Sequence, residues 1–129
     1  MEKNKFRFEN LEIYKETLFL IELIYTLTKK FPKDEMFGIT NQLRRASVSI
    51  LLNIAEGSSR TRKDFAHFLS LSKGSCFECV AILEVCKNQK YISDKEFLGF
   101  YERLNKISRM IGRFQISLRT ATSDSRQAI

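Results

Sequence analysis

The sequence predicts an all-α protein, an antiparallel up-down-up-down four-helix bundle in a single domain over residues 1–129, and three observations carry that reading. First, the 129 residues are 43% hydrophobic with only 5 Gly and 1 Pro, a poverty of turn formers that favours a few long helices over many short strands. Second, apolar residues recur at spacings of three and four along nearly the whole chain, which is the period of one helix face. Third, the breaks in that period are short, and short links between long helices make neighbours antiparallel.

Helix one is expected over about 10–30. Asn10 is a plausible N-cap, and Leu11, Tyr14, Leu18, Ile21, Tyr25 and Thr28 step along one face towards Lys29 and Lys30. Phe31-Pro32 ends it, because the residue before proline is pushed out of helical geometry. Asp34 and Glu35 suit a short turn, and Gly38 a bend before helix two.

Helix two, about 38–57, reads GITNQLRRASVSILLNIAEG. Ile39, Leu43, Ala46, Ile50 and Ile54 form its main apolar line, and Val48, Leu51 and Ala55 form a second one. Such a helix is expected deep in the bundle or against another subunit as well as its own core. Gly57 stands where a left-handed C-cap is wanted.

Helix three, about 61–89, opens with Thr61 and Asp64 in a capping-box arrangement and carries Leu69, Ser72, Cys76, Cys79, Val80, Leu83 and Cys86 inward. Gly74 in its middle suggests close helix contact. Helix four, about 93–119, starts at a second capping box, Ser93 and Glu96, and buries Phe97, Phe100, Leu104, Ile107, Ile111, Phe114 and Leu118. Residues 120–129 lack periodicity and are expected as a frayed tail.

The charge is +7, and residues 103–129 hold six basic residues against Asp124 alone. Lys106, Arg109 and Arg113 fall on a sector of helix four beside its core line. In this topology the N-terminus, the link between helices two and three, and the C-terminus share one end, which gathers Lys3, Lys5, Arg7, Arg60, Arg62, Lys63, Arg113 and Arg119. A solvated helix face is the simpler reading of such a stripe; a gathered basic end also attracts polyanions. A polyanion is thus a candidate partner through Arg60, Arg62, Lys63, Lys106, Arg109, Arg113 and Arg119, and the resemblance given below implies nucleic acid as that polyanion.

A second group, Arg44, Arg45, Asn53, Glu56 and Glu78, combines charge with helical positions that are costly to bury unpaired. It is either a ligand or RNA site or, as we favour, a structural network pairing across helices or subunits. Glu56 lies near a helix C-terminus, where the dipole disfavours an anion, so its cation is expected from another element or another subunit.

No catalytic or metal-binding pattern emerges. Cys76-x-x-Cys79 falls within a helix without histidines at zinc spacing and is expected as core packing, and His67, the one histidine, as a surface or core-edge residue. The five glycines are scattered, so no phosphate-cradling loop forms. We therefore expect no enzyme activity, no cofactor and no metal. The three cysteines agree with a reducing compartment, no apolar run is long enough for a membrane span, and the N-terminus lacks a signal peptide's apolar centre. The expected location is cytoplasmic.

Phe31-Pro32-x-x-Glu35, Phe37-Gly38-Ile39-Thr40-x-Gln42-Leu43-Arg44-Arg45-Ala46, Ser49-Ile50, Asn53-Ile54-Ala55-Glu56-Gly57 and Gly74-Ser75-x-x-Glu78 together resemble the 23S rRNA-intervening sequence protein family of four-helix bundles. The resemblance covers roughly residues 8–118. One departure is visible: Leu51 stands where that family commonly has proline, so the chain lacks the residue that would bend helix two. The resemblance implies a bacterial bundle that assembles as a homo-oligomer, typically a five-fold ring, and is often encoded within ribosomal RNA insertions. It also extends to the accessory bundle proteins of diversity-generating retroelements, which implies nucleic acid and a reverse transcriptase as possible partners. The alternative is a structural or protein-docking scaffold without nucleic-acid affinity.

Overall fold

The structure is a computed structural model that describes residues 6–124, with side chains from Phe6 to Thr120. Four α-helices run antiparallel in sequence order: α1 (Glu12–Thr28), α2 (Ile39–Gly57), α3 (Arg62–Asn88) and α4 (Asp94–Asp124). Short 3-10 turns at Arg7–Asn10 and Lys33–Glu35 precede α1 and α2. The all-α four-helix bundle expected from the sequence is the observed architecture. The expected core lines lie inside: Ile13, Leu20, Ile24, Leu43, Ile50, Ile54, Leu69, Leu83, Leu104, Ile107 and Ile111 are buried in one cluster. Adjacent helices pack along their length, most extensively α2 with α3 and α3 with α4, and least between α1 and α4.

Both helix starts with a capping signature behave as that chemistry requires. Thr61 Oγ1 accepts the Asp64 N–H at 3.2 Å. At α4 the box is reciprocal, with Ser93 Oγ accepting from Glu96 N–H at 3.0 Å and Glu96 Oε1 accepting from Ser93 N–H at 2.9 Å. Glu96 also takes a hydrogen bond from Lys30 at the end of α1. That bond, then the one from the Ser93 backbone, holds the Glu96 carboxyl below its usual range.

Four local expectations are corrected. The 3-10 turn ending at Asn10 moves the N-cap of α1 to Leu11, whose carbonyl accepts from Tyr14 and Lys15 N–H, both at 3.1 Å. Phe8 packs on Tyr14 with ring centroids 4.8 Å apart and sets the chain's entry angle. Gly57 is the last residue of α2 and is not left-handed. The left-handed position follows α3 instead, at Lys90 (φ 68°), where Tyr91 N–H reaches back to Cys86 O at 2.9 Å. Gly74, expected in a tight contact, faces open space with nothing within 4 Å of an added Cβ. Finally, α4 runs on to Asp124, because nothing in Thr120–Asp124 breaks a helix, so the expected tail is helical there and its remainder, 125–129, lies outside the described residues. Lys3 and Lys5 lie outside them as well.

Gly57 has a packing reason. A Cβ built on it would sit 2.7 Å from Phe65 Cδ1 and 2.7 Å from Phe68 Cβ, so α2 and α3 approach as closely as they do only without a side chain there. Next to it, Ser72 Oγ donates to Ile50 O at 2.8 Å and Ser75 Oγ to Ser49 Oγ at 3.0 Å, which satisfies the hydroxyls that this close seam buries. On the other side of α3, buried Gln115 donates from Nε2 to Ala66 O at 2.9 Å and to Ser70 Oγ at 2.8 Å, fixing the register of α4.

Gly57 and Gly74 should answer the same substitution with opposite signs. Gly57→Ala is expected to lower unfolding stability by about 1–3 kcal/mol through overpacking, whereas Gly74→Ala should raise it by up to about 1 kcal/mol through helix propensity; urea unfolding of both variants reads the two signs. For Glu96 the depressed folded pKa means its stabilising contribution is present above the unfolded carboxylate pKa and is lost as pH falls through the folded value. Thermal melts should therefore separate wild type from Glu96→Gln most at neutral pH and bring them together in strong acid.

Candidate functional site

Two surface regions collect the polar residues singled out by sequence. The first is the end of the bundle where α2 passes to α3 and α4 terminates. Because Thr61 caps α3, Arg62 and Lys63 occupy its first turn and His67 its second, on the side that faces Leu118 and Arg119 of α4. Arg62, Lys63, His67 and Arg119 thereby surround an open groove of about 490 Å³ floored by Ala66 and Leu118, and none of its lining residues is acidic. Like charges held around a shared concavity raise the local positive potential.

Other members of the expected basic set are engaged elsewhere. Arg60 pairs with Glu56 one turn back and lies over the Phe68 ring, its Cζ 5.1 Å from the centroid. Lys106 reaches Glu16 of α1 at 3.4 Å, and Arg103 approaches the same carboxylate at 3.9 Å. Arg113 sits at the foot of α1 in a groove it shares with Glu12. Arg109 is exposed. The stripe on α4 is therefore divided: its upper member closes the α1–α4 seam, and Arg119, a full turn and more beyond Arg113, joins α3.

The second region is the outer side of α2. Arg44, Arg45, Asn53 and Glu78 all line one open groove of about 1110 Å³, together with Tyr25, Phe37, Val48, Leu52 and Ile82. Arg44 Nε donates to Thr28 Oγ1 at 2.9 Å and its guanidinium stacks over Tyr25, 4.5 Å from the ring centroid. Asn53 Nδ2 donates to Ser49 O at 2.9 Å within its own helix. Arg45 and Glu78 are exposed, and neither forms an ion pair among the described residues. Among the described residues these groups form no ion pair with one another: Arg44 reaches across to Thr28 of α1, while Arg45 and Glu78 are exposed. Glu56 is a correction of a different kind: it lies outside this groove, is exposed, and takes its cation from Arg60 four residues on, a residue in the α2–α3 link.

The second apolar line expected on α2 contributes Val48 to this groove, but Phe37 and Leu52 are not part of that line. Phe37, in the turn before α2, is 94% exposed, and Leu52, out of step with the core line of α2, is 59% exposed. For Leu52 that phase difference was the available signal. The cysteines pack in the core as expected: burial pushes the Cys76 thiol up to about 12, partly opposed by Lys73, pushes Cys86 up to about 11, and raises Cys79 further. Thiols held protonated in this way are poor nucleophiles and poor metal ligands at neutral pH. His67 is exposed at the rim of the basic groove. Among the described residues there is no group of three or more His, Cys, Asp or Glu side chains placed to hold a metal, and no helix is long and apolar enough to cross a membrane.

No curated protein matches the chain significantly. Among solved structures it is similar to a protein of unknown function from the S23 ribosomal protein family of Bacteroides thetaiotaomicron, at 21% identity and a TM-score of 0.74, over 80% of this chain and 97% of that one. This likeness shows a common fold. Residues 9–113, spanning all of α1 to α3 and two thirds of α4, match the model of the 23S rRNA-intervening sequence proteins, and the chain belongs to that family.

Proposed function

We propose that this chain is a non-enzymatic, cytoplasmic, homo-oligomeric bundle that binds nucleic acid, RNA in the first place, through its basic end. The observation that carries this reading is the groove at the start of α3, where Arg62, Lys63, His67 and Arg119 converge with no acid among the lining residues. Guanidinium and ammonium groups on a rigid pair of helix ends suit phosphate oxygens as point contacts, which position a polyanion without reading its sequence. Arg109 and Arg113, exposed lower on α4, extend the same field. The family takes its name from proteins of ribosomal RNA intervening sequences, and its members' resemblance to retroelement accessory bundles makes a reverse transcriptase a second partner to test. A ring, five-fold by that resemblance, would repeat the basic end around its axis and multiply a weak single-site affinity.

A protein-docking scaffold is the second reading, and one observation favours it: the groove on α2 exposes Phe37 and Leu52 beside two arginines. The two readings use different surfaces and can both hold.

Binding through counterion release predicts a steep salt dependence. Titration of a labelled single-stranded RNA at several salt concentrations should give a slope that flattens by about 0.7 for each phosphate contact removed. Arg62→Ala, Lys63→Ala and Arg119→Ala should each flatten it and weaken unrelated sequences by similar factors, with thermal stability unchanged. Arg60→Ala should change it least, since Glu56 already offsets that charge. No detectable binding at low salt would remove the nucleic-acid reading and leave the scaffold.

A further inference from the structure

We propose that the groove along α2 is the seat of a second copy of this chain, which enters it with the face shared by its own α3 and α4. The inference rests on the reading that the chain self-associates, and it names the two surfaces that meet.

The groove has the composition of a protein contact. Its apolar part comprises Tyr25, Phe37, Val48, Leu52 and Ile82, and its cations are Arg44 and Arg45, with no lysine among the lining residues. Aromatic and arginine side chains are enriched and lysines depleted where proteins bury surface against one another. Soluble monomers seldom leave such apolar residues contiguous and open to water.

The chain itself offers a matching surface. On the side where α3 meets α4, Phe77 is 65% exposed and Tyr101 44% exposed. Both border a shallow hollow of about 380 Å³ in company with Glu84, and Glu102 follows Tyr101 on the outer side of α4. Neither Glu84 nor Glu102 forms an ion pair among the described residues, and both are exposed. The face therefore presents two aromatic knobs, with Lys73 beside Phe77 and the unpaired carboxylates Glu84 and Glu102 towards the α3–α4 link, opposite in charge to Arg44 and to the unpaired Arg45.

Height along the bundle also matches. Ser75 bonds to Ser49, so Arg45 stands one turn nearer the α1–α2 link, beside the stretch of α3 just past Cys76 and Cys79. Cys76 and Val80 in turn share a hollow with Tyr101 and Leu104, which puts Glu102 in the same half of the molecule. The α1–α2 and α3–α4 links lie at the same end, so two copies standing side by side with parallel axes bring Arg45 level with Glu102.

Charge exchange tests the pairing. Arg45 and Glu102 are both exposed, so Arg45→Glu and Glu102→Arg should leave the helical circular dichroism unchanged. Sedimentation over a concentration series should show each single reversal raising the dissociation midpoint at least about tenfold, through like charges brought together, and the double reversal restoring it to within about threefold. Phe77→Ser, which removes an exposed knob, should weaken assembly without touching either charge. A wild-type chain that stays monomeric throughout the series would overturn both self-association and this inference. An oligomer that ignores the single reversals, or that the double reversal fails to restore, would overturn this interface alone and leave self-association standing.

Discussion

The approach of α2 to α3 is the constraint from which the remaining surface follows. Gly57 lies under Phe65 and Phe68 at a distance that excludes a methyl group. Ser72 and Ser75 spend their hydroxyls on Ile50 O and Ser49 within the same seam. Small residues on one side of α2 thus fix its rotation, since turning the helix by even one residue position would bring larger side chains against α3. Once that side is committed, the opposite side must carry Arg45 and Leu52 outward. The residues of the Gln-Leu-Arg-Arg-Ala and Asn-Ile-Ala-Glu-Gly stretches are split accordingly: Leu43, Ala46, Ile54 and Gly57 serve the interior, and Arg44, Arg45 and Asn53 the outer groove.

The opposite edge of the bundle is held by different chemistry. Contacts between α1 and α4 are the sparsest of the neighbouring pairs, and they are supplemented by charge: Glu16 with Arg103 and Lys106, and Lys30 with Glu96. Exposed pairs of this kind contribute about 0–1 kcal/mol each, so they tune the seam more than they hold it. They also remove Lys106 and Arg103 from the pool of free cations. At the far end Arg62, Lys63 and Arg119 stand around a groove with no acid among its lining residues, and none of the three forms an ion pair among the described residues.

The helices, their order and their inward lines were legible in the sequence because helical periodicity and capping boxes are local properties, written within a turn or two. Leu69 through Cys86 on α3 and Leu104 through Leu118 on α4 face inward as their spacing dictates. The misreadings share a cause, which is that their partners are distant or their setting is tertiary. Gly57 looks like a helix cap until Phe65 and Phe68 fold back over it, and Gly74 looks like a contact until the neighbouring helices prove to lie elsewhere. Arg44, Arg45, Asn53 and Glu78 line one groove while Glu56 lies outside it, and polarity alone does not say whether a group faces into the bundle or out of it. Lys106 carries the expected charge, and only the fold reveals that Glu16 offsets it, whereas the Glu56–Arg60 pair is one helical turn apart and was within reach of the sequence. The family was legible from motif residues along α2 and α3, whereas the site's role had to be argued from which charges the packing leaves free.

The central claim is that polyanion binding and protein contact occupy separate surfaces, one at the end of the bundle and one along its side. Hydroxyl-radical footprinting of the protein, with and without a single-stranded RNA, tests this most directly, because it reports side-chain exposure residue by residue. The account predicts that RNA protects His67 and Arg119, which are exposed at the basic groove, while Leu52, Phe37 and Phe77 keep the reactivity they have without RNA. Protection of Leu52 and Phe37 on adding RNA, with His67 and Arg119 unchanged, would contradict it and make the α2 groove the nucleic-acid site.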